Sequence, residues 1–229
     1  MGICAGCVHA PLGFGLENAE GCLYLNVTTP DPLPEDAPVM VWIHGGAFIF
    51  GEGLQTDGGT RGDLLAANHG VVVVSMNYRL GPFGFLAHPS LAETPDGPSG
   101  NYAMRDQQLA LEWVRDHIAS FGGNPDDVTL FGESAGGISV CLHLAMPSSA
   151  GLFHKAISPS GLCDSGIATR DAAEASSPEL VAAVDSHVAL PLQAFLRALR
   201  LDTIQPLAPA HADPARLHLP PPFTPPSSY

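Results

Sequence analysis

The stretch Val128-Thr129-Leu130-Phe131-Gly132-Glu133-Ser134-Ala135-Gly136 decides how this chain folds. An apolar, β-branched run enters Gly-x-Ser-x-Gly, and a segment with helical spacing continues until Pro147 closes it. Strand, sharp turn and helix form the setting of a nucleophile elbow, which projects a serine Oγ from the edge of a sheet. So tight a turn strains the serine backbone, and side chains at Gly132 and Gly136 would clash.

A second glycine-rich loop, His44-Gly45-Gly46-Ala47-Phe48, comes directly after the apolar run Pro38 to Ile43. Attack on an ester carbonyl builds negative charge on its oxygen, and backbone N–H groups must already point there. Small residues let the backbone approach. The expected donors are Ala135 from the elbow, with Gly46 and Ala47 from the early loop.

Outward from these loops the chain alternates strands and helices. Pro38–Ile43 and Val71–Ser75 read as strands covered on both faces. Tyr102 to Phe121 reads as an amphipathic helix with a stripe of Leu111, Val114, Ile118 and Phe121, widened by Trp113. Asp106, Glu112 and Arg115 are expected on its wet side. Gly122-Gly123-Asn124-Pro125 is expected to stop that helix and start a turn. Val128–Phe131 is the third strand and Ala156-Ile157-Ser158 a fourth. This order predicts a parallel α/β sheet with right-handed crossovers. Residues 171–201 look helical. The tail from Pro206 to Tyr229 holds eight prolines in 24 residues and is expected to be extended or disordered. The domain is therefore expected over 1–205, with the proline-rich tail over 206–229.

Composition narrows the function classes. The 229 residues suffice for one α/β domain, and 45% hydrophobic with 14% charged residues describes a globular chain. A net charge of −14 with only nine basic residues argues against nucleic acid and anionic membranes, which need clustered Lys and Arg. No apolar run reaches the roughly 18 residues of a membrane span. The first residues lack the basic and apolar regions of a signal peptide. Five cysteines make an odd set. Cys7 and Cys22 would close a short loop in an oxidising compartment. Cys4 and Cys7 have no second Cys/His pair at zinc spacing, so no metal is expected. Cys141, on the helix after the elbow, is expected to be a small buried residue.

Several stretches resemble the type-B carboxylesterase/lipase family, which includes the cholinesterases. Glu20-Gly21-Cys22-Leu23-Tyr24-Leu25-Asn26-Val27 is similar to its early Glu-Asp-Cys-Leu-x-Leu-Asn signature, with Gly21 in place of Asp. Val41 to Phe48 resembles its oxyanion-loop strand. Asn77-Tyr78-Arg79-Leu80-Gly81-Pro82-Phe83-Gly84-Phe85-Leu86 matches closely. So do Gly100-Asn101, Asp106-Gln107, Ala110-Leu111 and the run Phe121 to Gly136. The resemblance spans residues 17–165. It implies an α/β-hydrolase fold with a parallel-rich sheet and flanking helices, incomplete in its C-terminal half. It implies hydrolysis of small-molecule carboxylic esters through an acyl-serine on Ser134, without cofactor. Glu133 would be the supporting acidic neighbour, and Gly45-Gly46-Ala47 resembles the loop of members that accept bulky alcohols.

Two departures stand out. The family's opening β-hairpin region is missing. Its triad acid and histidine lie far downstream of the serine, but 95 residues come after Ser134 and none resembles those motifs. Each of the histidines on offer, His143, His154, His187, His211 and His218, reads as structural or solvated. Asp164 and Asp202 are the least implausible acids. The alternative to a hydrolase is a non-catalytic fragment or binding module on the same fold. These residues leave the compartment, cytoplasmic or secreted, and the oligomeric state open.

Overall fold

The computed structural model describes residues 6–7, 18–19, 21–54, 62–92, 99–163, 168–169, 171–175 and 177–178. Two short strands, β1 (Gly6–Cys7) and β2 (Asn18–Ala19), pair in parallel. A disulfide from Cys7 to Cys22 ties them to the main body, and both half-cystines are buried.

The main sheet has five strands in the order β3-β5-β4-β6-β7. These are β3 (Leu25–Thr28), β4 (Ala37–Ile43), β5 (Val72–Met76), β6 (Gly123–Gly132) and β7 (Lys155–Ile157). All neighbours run parallel except β3, which pairs antiparallel with β5. The sheet is thus mixed and mostly parallel. Val39, Val41, Ile43, Val72, Val74, Val128 and Leu130 are fully buried. β-Branched side chains suit these strands because they pack well on a pleated surface.

Helix α1 (Gly62–His69) joins β4 to β5, while α2 (Gly81–Phe85) and α3 (Tyr102–His117) carry the chain back to β6. A single 3₁₀ turn, Ile118–Phe121, finishes the predicted long helix. Ala103, Gln107, Ala110, Leu111, Val114 and Ile118 make its buried stripe. Trp113 is half-buried beside Phe121.

Three expectations change. Asp106 is buried, because Arg79 grips its carboxylate with Nε at 2.8 Å and Nη2 at 2.6 Å. Arg115 and Asp116 are the exposed charges of that helix. Gly122 ends the helical turn at φ 77, and the strand starts at once, so β6 begins at Gly123 instead of Val128. Cys141 is half-buried and bonded to Cys163, so it is no isolated core thiol. Residues 171–175 are helical, while the rest of the predicted 171–201 helix and the tail lie outside the described residues, Ser177 and Pro178 apart.

Candidate active site

β4 lies between β5 and β6, so the chain leaves it in one direction for β5 and returns on the other side as β6. Ligand crevices of open α/β sheets form at the carboxyl ends of strands where the order reverses in this way. Ile43, the last residue of β4, is register-paired with Gly132, the last of β6. The loop His44–Phe48 and the turn Glu133-Ser134 therefore leave the sheet side by side.

Ser134 caps helix α4 (Ala135–Ala145) with φ 56 and ψ −118. For a residue with a Cβ this is a costly backbone, of the kind held at functional sites by surrounding structure, at about 1–3 kcal/mol. The holding contacts are visible. Ser134 N–H donates to the Pro159 carbonyl at 3.2 Å, and Gly136 N–H donates to the Glu133 carbonyl at 2.8 Å. A Cβ on Gly136 would collide with the Ile43 carbonyl, and one on Gly132 would stand 2.6 Å from the Gly136 carbonyl carbon. Only glycines fit at these two positions.

The early loop has its own unusual backbone. Gly46, Ala47 and Phe48 have φ of 96, 52 and 61 in succession. The N–H groups of Ile49 and Phe50 both donate to the Gly46 carbonyl, and Gly81 N–H donates to that of Phe48 at 2.7 Å. Among the described residues, no hydrogen bond takes up the N–H of Gly46, Ala47 or Ala135. Ala135 is the first residue of its helix, where the N–H has no partner within the helix. Ala47 is exposed and Ala135 buried, while Ser134 is half-buried and Glu133 exposed. All five predicted site residues, with the two elbow glycines, stand at this one edge of the sheet.

Sequence reasoning missed what holds the site in place. His44 is fully buried, and its Nδ1–H donates to the Gly45 carbonyl at 2.8 Å. Its ring stacks on Tyr78 at 4.2 Å, and the Tyr78 hydroxyl donates to the His44 carbonyl at 2.7 Å. Burial lowers the His44 pKa to about 4, so the ring is neutral at pH 7. Desolvation likewise raises the Tyr78 phenol above its ordinary value. A second network lies beneath the elbow helix. Ser149 hydroxyl donates to His143 Nδ1 (2.8 Å), and His143 Nε2–H to Gln107 Oε1 (3.1 Å). Gln107 then donates to Ser139 Oγ (3.2 Å), and Ser139 hydroxyl to the Ala135 carbonyl (3.1 Å). The signal for the second network is a polar residue inside an apolar helical stripe, as Gln107 and His143 are.

The downstream histidines divide. His143 is held in that network, and burial lowers its pKa to about 4. His154 Nδ1 accepts the Val128 N–H at 3.1 Å, at the amino end of β7 and away from the elbow. His187, His211, His218, Asp164 and Asp202 lie outside the described residues. Among the described residues, no group of three or more His, Cys, Asp or Glu is gathered as metal ligands would be, and no helix is long and apolar enough to cross a membrane.

The chain matches the carboxylesterase family over residues 6–212. It is 53% identical to para-nitrobenzyl esterase of Bacillus subtilis (strain 168) over 143 residues, which is 62% of this chain and 28% of that protein. It is 50% identical to the cholinesterase of Mus musculus over 165 residues, 72% of this chain and 26% of that protein. Among solved structures it is similar to a thermophilic PNB esterase, with TM-score 0.71 and 39% identity over 88% of this chain and 44% of that one. A second PNB esterase gives TM-score 0.69 and 42% identity over 87% and 42% of the two chains. The chain thus spans about a quarter of the length of these two curated relatives. With its mixed α/β sheet shared with these esterases and a family match across most of its residues, the chain belongs to the carboxylesterase family and has the α/β-hydrolase fold.

Proposed function

We propose that this chain carries the nucleophile and oxyanion half of a serine ester hydrolase. Ser134 Oγ attacks the carbonyl carbon of a small-molecule carboxylic ester. The alcohol leaves, and water then releases the acid from the acyl-serine. The oxyanion of each tetrahedral intermediate takes hydrogen bonds from the N–H groups of Gly46, Ala47 and Ala135. Loss of one such donor costs about 2.7–4 kcal/mol of transition-state stabilisation. Glu133 adds a fixed negative charge beside the nucleophile and supports the positive charge on whichever base takes the serine proton.

The observation that carries this reading is the left-handed backbone of Ser134. A binding module gains nothing from holding a serine in a strained turn beside three N–H groups that have no partner among the described residues. The names of the relatives, an esterase and a cholinesterase, point to the same class of substrate.

Turnover of para-nitrophenyl acetate by the whole chain tests the proposal, with imidazole added as an external base. Release of para-nitrophenol that Ser134→Ala abolishes supports it. Equal release from both proteins refutes it.

A further inference from the structure

We propose that the Cys141–Cys163 disulfide is a redox-cleavable clamp that holds the segment Ser158–Gly161 against the elbow and so fixes the backbone of Ser134. The proposal stands on the packing around the elbow and does not rest on acylation of Ser134.

Ser158–Gly161 comes directly after β7, a three-residue strand that is outermost in the sheet among the described residues, with every residue exposed. So short an edge strand anchors its neighbouring segment only weakly. Yet Ser158–Gly161 supplies the elbow's contacts. The Pro159 carbonyl accepts the Ser134 N–H, and the Ser158 hydroxyl donates to the Gly137 carbonyl at 2.9 Å. Gly137 and Gly161 meet face to face, and a Cβ on Gly137 would stand 2.9 Å from Gly161 Cα. Ser134 has no side-chain cap bond at the start of α4, so its backbone is held by the Pro159 carbonyl.

The disulfide closes this arrangement from beyond. Cys141 lies on α4, with its Sγ 3.6 Å from Ser158 Oγ, and Cys163 lies two residues past Gly161. The bond joins helix and segment directly, whereas the Cys7–Cys22 bridge lies at β1 and β2, on another part of the fold. Cys163 is exposed and its neighbour Leu162 is 64% exposed, so a thiolate can approach that sulfur.

The reductant is a dithiol. One of its thiolates attacks Cys163 Sγ, the S–S bond breaks, and Cys141 leaves as a thiolate that takes up a proton. The second thiol of the reductant then attacks the mixed disulfide and releases Cys163. Two electrons and two protons pass to the protein, and the dithiol departs as its own disulfide. With the bond open, the contacts left to hold the segment among the described residues are the Ser134–Pro159 and Ser158–Gly137 hydrogen bonds, the Cys141 Sγ–Ser158 Oγ contact and the glycine packing.

Amide hydrogen exchange read by mass spectrometry tests this on the whole chain. The oxidised protein is compared with protein treated with dithiothreitol under native conditions, and with Cys141→Ser/Cys163→Ser. Peptides covering 134–141 and 157–163 are expected to exchange about ten-fold faster in both, while the peptide over 106–117 in α3 is unchanged. Reoxidation restores slow exchange, and Cys7→Ser/Cys22→Ser does not reproduce the effect. If the double serine variant fails to fold, the reduction and reoxidation cycle of the wild type makes the same comparison. Unchanged exchange at the elbow, equal acceleration in α3, or a bond that resists the dithiol would each overturn the proposal.

Discussion

Gly45 lies directly against Ser134. A Cβ on Gly45 would stand 3.3 Å from the Ser134 Cβ and 2.8 Å from the Glu133 carbonyl oxygen. The two loops that leave β4 and β6 are therefore in contact beside Ser134. Neither loop has room to move toward the other; in the proposed mechanism this fixes the distance between Ser134 and the N–H groups of Gly46 and Ala47 before a substrate arrives.

Gly45→Ala tests that contact. The new methyl meets a backbone carbonyl, which has little freedom to yield, so the loops must part. Overpacking of this kind costs about 1–3 kcal/mol of stability. We expect that loss in urea denaturation, together with a fall of about a hundred-fold in the rate of Ser134 acylation, of the size that losing an oxyanion donor brings. Wild-type acylation by the variant would show that the contact has no part in positioning.

Ser134→Gly relieves a strained backbone, since glycine adopts positive φ without penalty. Part of that gain is offset by the greater freedom of glycine in the unfolded chain. The net expectation is a stabilisation of about 1 kcal/mol with complete loss of acylation. Ser134→Ala, which keeps the Cβ, should lose acylation without the gain. Urea midpoints of the three proteins decide this, and a glycine variant no more stable than the alanine variant argues against strain.

The buried histidines set an acid limit on stability. His44 and His143 have pKa values lowered from 6.5 to about 4 because burial disfavours the charged ring. Between those values the unfolded chain binds protons that the folded chain does not. Stability is therefore full above about pH 6.5 and falls as pH drops toward 4, by roughly 3 kcal/mol for each histidine. Urea denaturation across this range measures the slope. His143→Gln should remove about half of it, and an unchanged slope would mean that His143 is not the titrating group.

Asp106→Asn opens the ion pair with Arg79, whose side chains are 5% and 13% exposed. Removing one partner of a buried pair leaves the other charge uncompensated, at a cost of about 3–5 kcal/mol. The Arg79 N–H also loses a carboxylate acceptor, which loosens the turn next to Tyr78 and hence the support beneath His44. Thermal unfolding of the variant checks this, and a loss under about 1 kcal/mol would contradict it.

The sheet was legible in the sequence because buried parallel strands are continuous apolar runs. Pro38–Ile43 and Val71–Ser75 each lie within one residue of the observed strand. Strand β6 was legible only from Val128, since Gly123 to Asp127 lack apolar alternation and only Gly123 of these pairs with β4, opposite Ala37, before the register shifts to Val39–Val128. Asp106 was misplaced on the wet face because helical spacing says nothing about a partner 27 residues away. The two loops of the site were legible from their glycines, because close backbone approach excludes any side chain. Pro159 and Gly161 were not legible, because their role is to accept a bond and to leave space, and neither leaves a pattern in residue type.

Whether Ser134 is the nucleophile is decided by labelling the folded chain with a fluorophosphonate. Imidazole is supplied as an external base, and the adduct is mapped by peptide mass spectrometry. We expect one phosphonyl group on the peptide carrying Ser134 and none in Ser134→Ala. A folded wild-type chain that takes no label at Ser134, or an alanine variant labelled equally, would contradict that assignment.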